Sequence, residues 1–368
     1  MRLPWFQSRA MVGGLHFGRP AWNIQTWAAA SDTGQTLPST AVRVLPTDRQ
    51  QLVELLQQIC PEPTGPWMTP PAEQIMAAAD RPLRWLILNL LPTQPESLLP
   101  AAVTCRATEY FSAGWRLIHT CLDQPRTIAA MNRESFPDRT ALRRCLRSMR
   151  TGCFRIRVLA NRYPQGHPAI LLRSLLNRTP RRHDTPVPSP AGRQPPPGDD
   201  LVMVDALTCW TIGKFLHTGR THSRPVQVFA NDKEPQLAEA LIGSSVADFL
   251  HSLGLPITGR RCIRNGMLAG ELIDPQAAKI RWDTDMLSLC PICEPEPVTD
   301  CIRCGWCVQT CPVGLNPVAL WAGAKRVEGL AVADPHEATA CIDCGLCSYV
   351  CPTRLPLAAT IREIKTAR

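Results

Sequence analysis

Two cysteine-rich segments near the end of the sequence constrain this chain more than any other feature. They span Cys301–Pro312 and Cys341–Pro352, and both follow the pattern C-x2-C-x2-C-x3-C-P. This is the ligand spacing of bacterial ferredoxins that carry two [4Fe–4S] clusters. Two complete copies, each closed by Cys-Pro, predict two such clusters and therefore a protein that moves electrons one at a time.

The spacing also predicts which thiolates share a cluster. Three closely spaced cysteines wrap around three corners of a cube, and the proline after the fourth turns the chain away, so that the fourth thiolate serves the other cluster. Gly305 and Gly345 follow the second cysteine of each run and let the backbone pass close to the inorganic core. The predicted ligands are Cys301, Cys304, Cys307 and Cys351 for the first cluster, and Cys341, Cys344, Cys347 and Cys311 for the second.

Paired zinc sites are the alternative interpretation of these eight cysteines. Zinc usually takes two CxxC pairs set well apart rather than four cysteines in one short run, so we favour iron–sulfur clusters. Cys290 and Cys293 form one further CxxC, which is a redox dithiol, half a metal site or two ordinary thiols in a turn. The other cysteines occur singly and are predicted to be small buried side chains: Cys60, Cys105, Cys121, Cys145, Cys153, Cys209 and Cys262.

Cysteine usage and hydropathy favour a cytoplasmic protein. The chain has 17 cysteines, and cluster ligands must stay reduced, which points to a reducing compartment. The first residues lack the continuous apolar core of a signal peptide. The longest apolar run, Leu83–Leu91, is shorter than the roughly 20 residues of a membrane span. We expect a cytoplasmic chain that is at most peripheral on the inner face of the cell membrane.

Strand-like and helix-like patterns alternate along the body of the chain, which is typical of α/β packing around a mainly parallel sheet. Near the end, helical patterns separate and follow the cysteine runs. The predicted organisation is a small β module (1–60), an α/β region with an arginine-rich segment (61–183), a proline-rich linker or loop (184–200), a second α/β region (201–289) and a mostly helical two-cluster ferredoxin-like domain (290–368).

Positive charge concentrates in the arginine-rich segment, which we define as residues 141–183. It holds eleven arginines and no aspartate or glutamate. Such a segment can bind nucleic acid, anionic lipid headgroups or an acidic protein, and a solvated face without a partner is the alternative. Aromatic residues are few there, which disfavours nucleic acid. We therefore expect it to meet an acidic redox partner or an anionic membrane surface.

Several segments resemble the RnfC family, which belongs to the Rnf-type ion-translocating electron transport complex. Most of residues 150–368 share this resemblance, with patchy agreement before them. It implies an electron-transfer subunit whose partners are membrane-bound or soluble redox proteins, such as a ferredoxin. Besides the cysteine runs, the similar segments are Gly13–His16 (Gly-Gly-Leu-His), Asn161–Gly166 (Asn-Arg-Tyr-Pro-Gln-Gly), Val204–His217, Ile242–Leu253 and Ile263–Gly270.

The chain departs from that family at the flavin site. The resemblance implies an NADH-accepting subunit whose FMN lies beside a loop of the type Gly-x-Gly-Gly-Ala-Gly-Phe-Pro, where backbone N–H groups approach phosphates. This sequence has no such loop. Leu91–Pro95 (Leu-Pro-Thr-Gln-Pro) stands where the family has Glu-Cys-Glu-Pro, and the turn at 265–270 keeps only part of its pattern. The sequence therefore predicts that neither FMN nor NADH is bound.

Three functional hypotheses follow. The favoured one is a non-catalytic, RnfC-like electron-transfer subunit that works within a membrane-associated oxidoreductase complex. The second is a complete NADH-oxidising, FMN-dependent subunit, which bound flavin would reveal. The third is a protein with structural clusters whose arginine-rich segment binds nucleic acid or an acidic partner. The spacing of the cysteines favours electron transfer but does not name the donor or the acceptor.

Overall fold

A computed structural model describes residues 45–78, 82–136, 139–149, 154–176, 200–220, 222–230, 235–292 and 297–367, and the backbone of three short strands before them. Residues predicted above that lie outside this part are Gly13, His16, Cys153, Cys293 and 184–199, as well as four arginines of the arginine-rich segment, Arg150, Arg178, Arg181 and Arg182.

Strands and helices alternate along most of the described chain. The strands are β1 (Ala10–Met11), β2 (Gly14–Leu15), β3 (Trp27–Ala28), β4 (Trp85–Asn89), β5 (Arg126–Met131), β6 (Phe154–Val158), β7 (Leu201–Asp205), β8 (Ser223–Ala230), β9 (Gln236–Leu241), β10 (Arg260–Arg264), β11 (Glu271–Ile273) and β12 (Met286–Pro291). The helices of the body are α1 (Arg49–Ile59), α2 (Pro71–Ala77), α3 (Leu99–Arg106), α4 (Thr108–Cys121), α5 (Arg139–Ser148), α6 (Pro168–Leu176), α7 (Ala206–Thr218) and α8 (Val246–Ser252).

A fully parallel sheet forms the centre of the body, in the order β6-β5-β4-β7. Its central strands are continuous apolar runs because helices cover both faces. Leu86 and Leu88 of β4 belong to the larger core, while Ile87 between them packs on the other face with Leu171 of α6. This confirms the predicted α/β body with a parallel sheet.

The strand order reverses between β4 and β7. The chain runs from β4 to β5 and β6 on one side, and then returns to place β7 on the other side of β4. In open α/β sheets such a switch point leaves a crevice at the carboxyl ends of the strands, where ligands bind. We call the space beyond Asn89 of β4 and Asp205 of β7 the switch-point crevice.

Two glycines let helices α4 and α7 pack with their backbones in contact. A methyl group on Gly114 would lie 1.9 Å from the carbonyl oxygen of Cys209, and one on Gly213 would lie 1.7 Å from that of Tyr110. Trp115 and Trp210 fill the core beside this crossing and are fully buried. The crossing anchors β7 and α7 to the first half of the body.

The second sheet differs from the prediction. Its order is β11-β10-β12-β8-β9-β3, and antiparallel pairs outnumber the parallel pairs β12–β8 and β3–β9. The sequence pattern predicts β8 but indicates only a turn around β10. The strands there are short, and arginines at 260, 261 and 264 disguise their alternation.

The region assigned to a small β module also needs correction. Residues 49–59 at its end form helix α1, which begins at Asp48, whose side chain accepts a hydrogen bond from the backbone of Gln51. Leu52, Leu56 and Ile59 of α1 are buried in the main core. This part of 1–60 therefore belongs to the α/β body, because a helix with one apolar face requires a core to pack against.

The region after residue 297 is described as short helices and loops. Its elements are α9 (Trp306–Thr310), α10 (Pro317–Lys325), a 3-10 helix (Pro335–Ala340), α11 (Leu346–Tyr349) and α12 (Leu357–Thr366). Helix α10 begins at Asn316, whose side chain accepts a hydrogen bond from Ala319. None of the helices in the described residues combines the length and apolar character needed to cross a membrane.

Candidate iron–sulfur sites

The structure gathers the eight predicted ligands around two cavities. Each cavity takes three cysteines from one run and the fourth from the other run. The first cavity, of about 290 Å³, is lined by Cys301, Cys304, Cys307 and Cys351, and we call these four residues the first site. The second cavity is lined by Cys341, Cys344, Cys347 and Cys311, which we call the second site.

The two cysteine loops have nearly the same backbone. Arg303 and Asp343 occupy equivalent positions with left-handed φ angles of 56° and 54°. Their N–H groups donate to the sulfur of the first cysteine of each run, Cys301 and Cys341, at 3.4 Å in both cases. Such N–H···S hydrogen bonds stabilise thiolates and tune an iron–sulfur cluster. The repeat in the sequence is therefore a repeat in local structure.

The two sites lie side by side. Cys347 of the second site packs in one apolar cluster with Cys307 and Cys351 of the first, and in another with Cys311 and Cys341. The side chain of Cys347 thus touches the surroundings of both sites. This adjacency gives electrons a short path from one site to the other.

Burial raises the pKa of several of these thiols. The pKa of Cys344 rises to about 12, and that of Cys347 to about 11, in each case chiefly because burial penalises the charged thiolate. Neighbouring cysteines of the same site push both values further upward. A positively charged iron core would offset this penalty, because metal binding and thiol deprotonation are coupled.

The donor sets fit four-iron clusters. Eight thiols in two groups of four, with N–H groups aimed at sulfur, supply the ligands and polarity that such clusters need. No three histidine, cysteine or acidic side chains of the described residues lie close enough together to hold a single metal ion. A single zinc ion holds each thiolate at about 2.3 Å, whereas the corners of a cube spread them apart.

The second loop is held tightly against the α/β body. The buried hydroxyl of Tyr163 donates a hydrogen bond to the carbonyl oxygen of Cys344 at 2.7 Å. Gly345 packs so closely that a methyl group there would lie 1.8 Å from the carbonyl oxygen of Leu268. Burial raises the pKa of Tyr163 well above its usual value, so the hydroxyl remains a donor at neutral pH. Tyr163 and Leu268 therefore fix the second loop in place.

A lysine from the last helix completes the second loop. Lys365 of α12 donates to the carbonyl oxygen of Cys341 at 3.0 Å and forms an ion pair with Asp343. The lysine side chain is 9% exposed. The sequence does not reveal Lys365 as part of a site, and it shows Tyr163 only within a segment shared with the family. Neither residue has a local pattern that marks it, because both act across long separations in the chain.

The switch-point crevice is filled by polar side chains of this chain. Arg224 donates to Asp285 at 2.5 Å and to the carbonyl oxygen of Thr64 at 3.1 Å. Thr93 donates to the other oxygen of Asp285 at 3.1 Å. The space left, lined in part by Asn89 and Asp285, is about 20 Å³, which holds about one water molecule.

Burial dominates the electrostatics of this crevice. It raises the pKa of Asp285 to about 7, and Arg224 opposes that rise. The nearby carboxylate of Asp205 acts in the same direction as burial, and it accepts a hydrogen bond from Thr64 at 3.0 Å. The crevice thus contains an ion pair and two carboxylates in place of phosphate-binding N–H groups.

The remaining cysteines of the described residues are dispersed through the cores. Cys60, Cys121, Cys145, Cys209 and Cys262 are buried, as predicted, and Cys105 is half-buried. Cys290, half of the predicted CxxC, is buried on β12, where its sulfur lies 3.6 Å from that of Met267. Cys290 is not among the residues that line the two cysteine cavities.

Comparison with known families agrees with this geometry. Residues 297–355 match the family described as the 4Fe-4S dicluster domain. That range contains all eight cysteines of the two sites. The chain therefore carries a dicluster iron–sulfur domain and belongs by its site to the class of iron–sulfur electron-transfer proteins.

Curated relatives are RnfC proteins, each named as a component of an ion-translocating oxidoreductase complex. The chain is 30% identical to that of Pseudomonas aeruginosa over 180 residues, which are 45% of this chain and 21% of the relative. It is 29% identical to that of Rhodobacter capsulatus over 173 residues, which are 45% of this chain and 31% of the relative. The match thus spans about a fifth to a third of these relatives. The resemblance predicted from the sequence is confirmed over this part.

Solved structures show a similar fold. The air-oxidized NAD+-reducing [NiFe]-hydrogenase matches with a TM-score of 0.56 and 18% identity, covering 90% of this chain and 65% of that chain. The H2-reduced form matches with a TM-score of 0.51 and 18% identity, covering 83% and 55%. At this identity the likeness concerns the fold alone.

Proposed function

We propose that this chain is an electron-transfer subunit of a membrane-associated oxidoreductase complex and carries two [4Fe–4S] clusters. One observation carries the proposal: two complete sets of four thiols line adjacent cavities within a dicluster domain. When bound, the clusters supply one-electron redox chemistry. The protein supplies the ligands, N–H···S hydrogen bonds and an apolar environment, which together set the reduction potentials.

The role within a complex rests on the relatives, which are named as parts of an ion-translocating oxidoreductase complex. On this basis the electron donor and acceptor are redox proteins of the same complex or a soluble carrier such as a ferredoxin. Position on the inner face of the cell membrane would follow from that assembly. The chain itself needs no catalytic residue, because ligation and positioning suffice for electron transfer.

The switch-point crevice supports electron exchange with proteins rather than with NADH. An FMN or a dinucleotide at such a crevice requires close backbone approach to its phosphates. Here the Arg224–Asp285 ion pair stands in the crevice, and about 20 Å³ of space is left. We infer that the chain binds neither FMN nor NADH and accepts electrons from another protein. Its likeness to NAD+-reducing hydrogenase would then be one of architecture.

Iron, sulfide and flavin analysis of anaerobically reconstituted protein tests this function. We expect about eight iron and eight sulfide per chain, the content of two four-iron clusters, and no flavin. Folded protein that holds zinc and no iron would refute the cluster assignment. FMN titration followed by flavin fluorescence provides the second arm, since saturable binding at low micromolar concentration would restore the NADH-oxidising hypothesis.

A further inference from the structure

The two sites have the same backbone but different surroundings. Ile302 of the first loop is 64% exposed, and its equivalent in the second loop, Ile342, is 3% exposed. Trp306 is 53% exposed, and its equivalent, Leu346, is 2% exposed. The second cysteines follow the same rule: Cys304 is exposed and Cys344 is buried. The first site therefore faces solvent, while the second lies against the α/β body.

Charge differs between the loops in the same sense. The position between the first two cysteines is Arg303 in the first loop and Asp343 in the second. The guanidinium of Arg303 is held at the rim of the first cavity, where it donates to the carbonyl oxygen of Gly329 at 2.8 Å. The carboxylate of Asp343 is neutralised by Lys365.

Flanking residues leave this contrast in place. Asp300 before the first run and Arg354 after Cys351 offset each other, so the first site keeps one net positive charge from Arg303. The residues that follow Cys311, the fourth ligand of the second site, are Pro312–Leu315 and carry no charge. The second site is thus neutral in its near surroundings.

Reduction adds one negative charge to a cluster. A buried, low-dielectric position disfavours that added charge, whereas solvent and a nearby cation stabilise it. We propose, on the basis of the function proposed above, that the first site holds its cluster at a higher reduction potential than the second. Electrons then pass from the buried second site to the exposed first site and leave the chain beside Cys304.

Potentiometric titration of the reconstituted full chain, reduced stepwise with dithionite and followed by electron paramagnetic resonance, tests this inference. The parent protein should show two resolved one-electron waves. Arg303→Gln should lower the upper wave and leave the lower one in place. Arg303→Lys keeps the charge and should restore the parent value. Arg84→Gln removes an exposed arginine from the start of β4 and should move neither wave.

A second variant approaches the gap from the other side. Asp343→Asn leaves Lys365 as an uncompensated cation beside the second site, and it should raise only the lower wave. A single shared wave, or a lower wave that responds to Arg303→Gln, would overturn the inference while leaving the function intact. A chain that binds no iron would refute the proposed function, and this inference with it.

Discussion

Cys311 lies in the first run of the sequence but lines the cavity of the second. Its sulfur accepts a hydrogen bond from the N–H of Leu315 at 3.3 Å, which orients it. We predict that Cys311→Ser gives the same electron paramagnetic resonance spectrum as Cys341→Ser and a different spectrum from Cys301→Ser. Cys105→Ser, which alters a thiol outside both sites, is the control and should keep both clusters. A Cys311→Ser spectrum that matches Cys301→Ser would reverse the pairing.

His167 makes a second prediction at the scale of one residue. It is 2% exposed beside the ring of Trp67, and burial lowers its pKa to about 3, with Lys365 acting in the same direction. The unfolded chain has a histidine pKa of about 6.5, so below that pH the unfolded state binds a proton that the folded state does not. The stabilising contribution is present above about pH 6.5 and is lost as the pH falls towards 3.

Urea unfolding of the loaded protein between about pH 7.5 and pH 5 measures this effect. The free energy of unfolding should fall by up to about 1.4 kcal/mol per pH unit because of His167 alone. His167→Gln removes the titrating ring, so its curve should be flatter than that of the parent by about one proton. Parallel curves would show that His167 does not carry the acid sensitivity.

At the scale of elements, the two cysteine loops provide a matched pair of glycines. Gly305 and Gly345 have φ angles of 76° and 75°, so an alanine at either position meets the same backbone strain. Only Gly345 is crowded, by the carbonyl oxygen of Leu268; a methyl on Gly305 would have its nearest heavy atom 3.9 Å away. The difference between the two variants therefore measures how the second loop packs on the body.

We predict that Gly345→Ala loses about 1–3 kcal/mol more stability than Gly305→Ala, because overlap is added to the shared strain. Guanidinium unfolding of the reconstituted proteins gives both values. Gly345→Ala should also release cluster iron to a chelator faster. Equal losses in the two variants would mean that the contact with Leu268 yields without cost.

Elements with a local pattern can be predicted from the sequence, and those defined by distant contacts cannot. The pattern predicts helix α4 over the residues that form it and β5 to within one residue, because each has an uninterrupted apolar periodicity. It does not reveal β10, β11 and β12, since pairing with distant strands defines them. The ligand sets follow from spacing. Tyr163, Lys365 and the crevice around Asp285 do not, because they depend on contacts between distant segments.

At the scale of the whole molecule, the described arginines of the arginine-rich segment lie along one edge of the parallel sheet. Arg143, Arg144 and Arg147 of α5 are exposed, as are Arg155 and Arg157 of β6. Strand β6 pairs with β5 on one side and ends the sheet on the other. Charged residues on an edge strand also prevent unwanted strand pairing, so this edge has a structural reason for its charge besides any partner.

We predict that this edge binds an anionic membrane surface. Replacing Arg143, Arg144 and Arg147 by glutamate should abolish cosedimentation with phosphatidylserine vesicles, because each arginine near such a surface contributes on the order of 1 kcal/mol. The control reverses Arg84, Arg116 and Arg261, which changes net charge equally, and should retain most binding. Iron content should stay the same in both variants. Parent protein that ignores anionic vesicles over a range of salt would identify the edge as solvated only.

The exchange of the fourth cysteine between the two runs has a consequence for maturation. Since each cavity borrows one thiol from the other loop, filling either site fixes a residue next to the other and brings its remaining three thiols into place. Cluster insertion should therefore be cooperative, and half-loaded chains should be scarce at intermediate iron supply. For the cell, this makes the chain either a complete conductor or none, because an isolated cluster would leave the electron path broken.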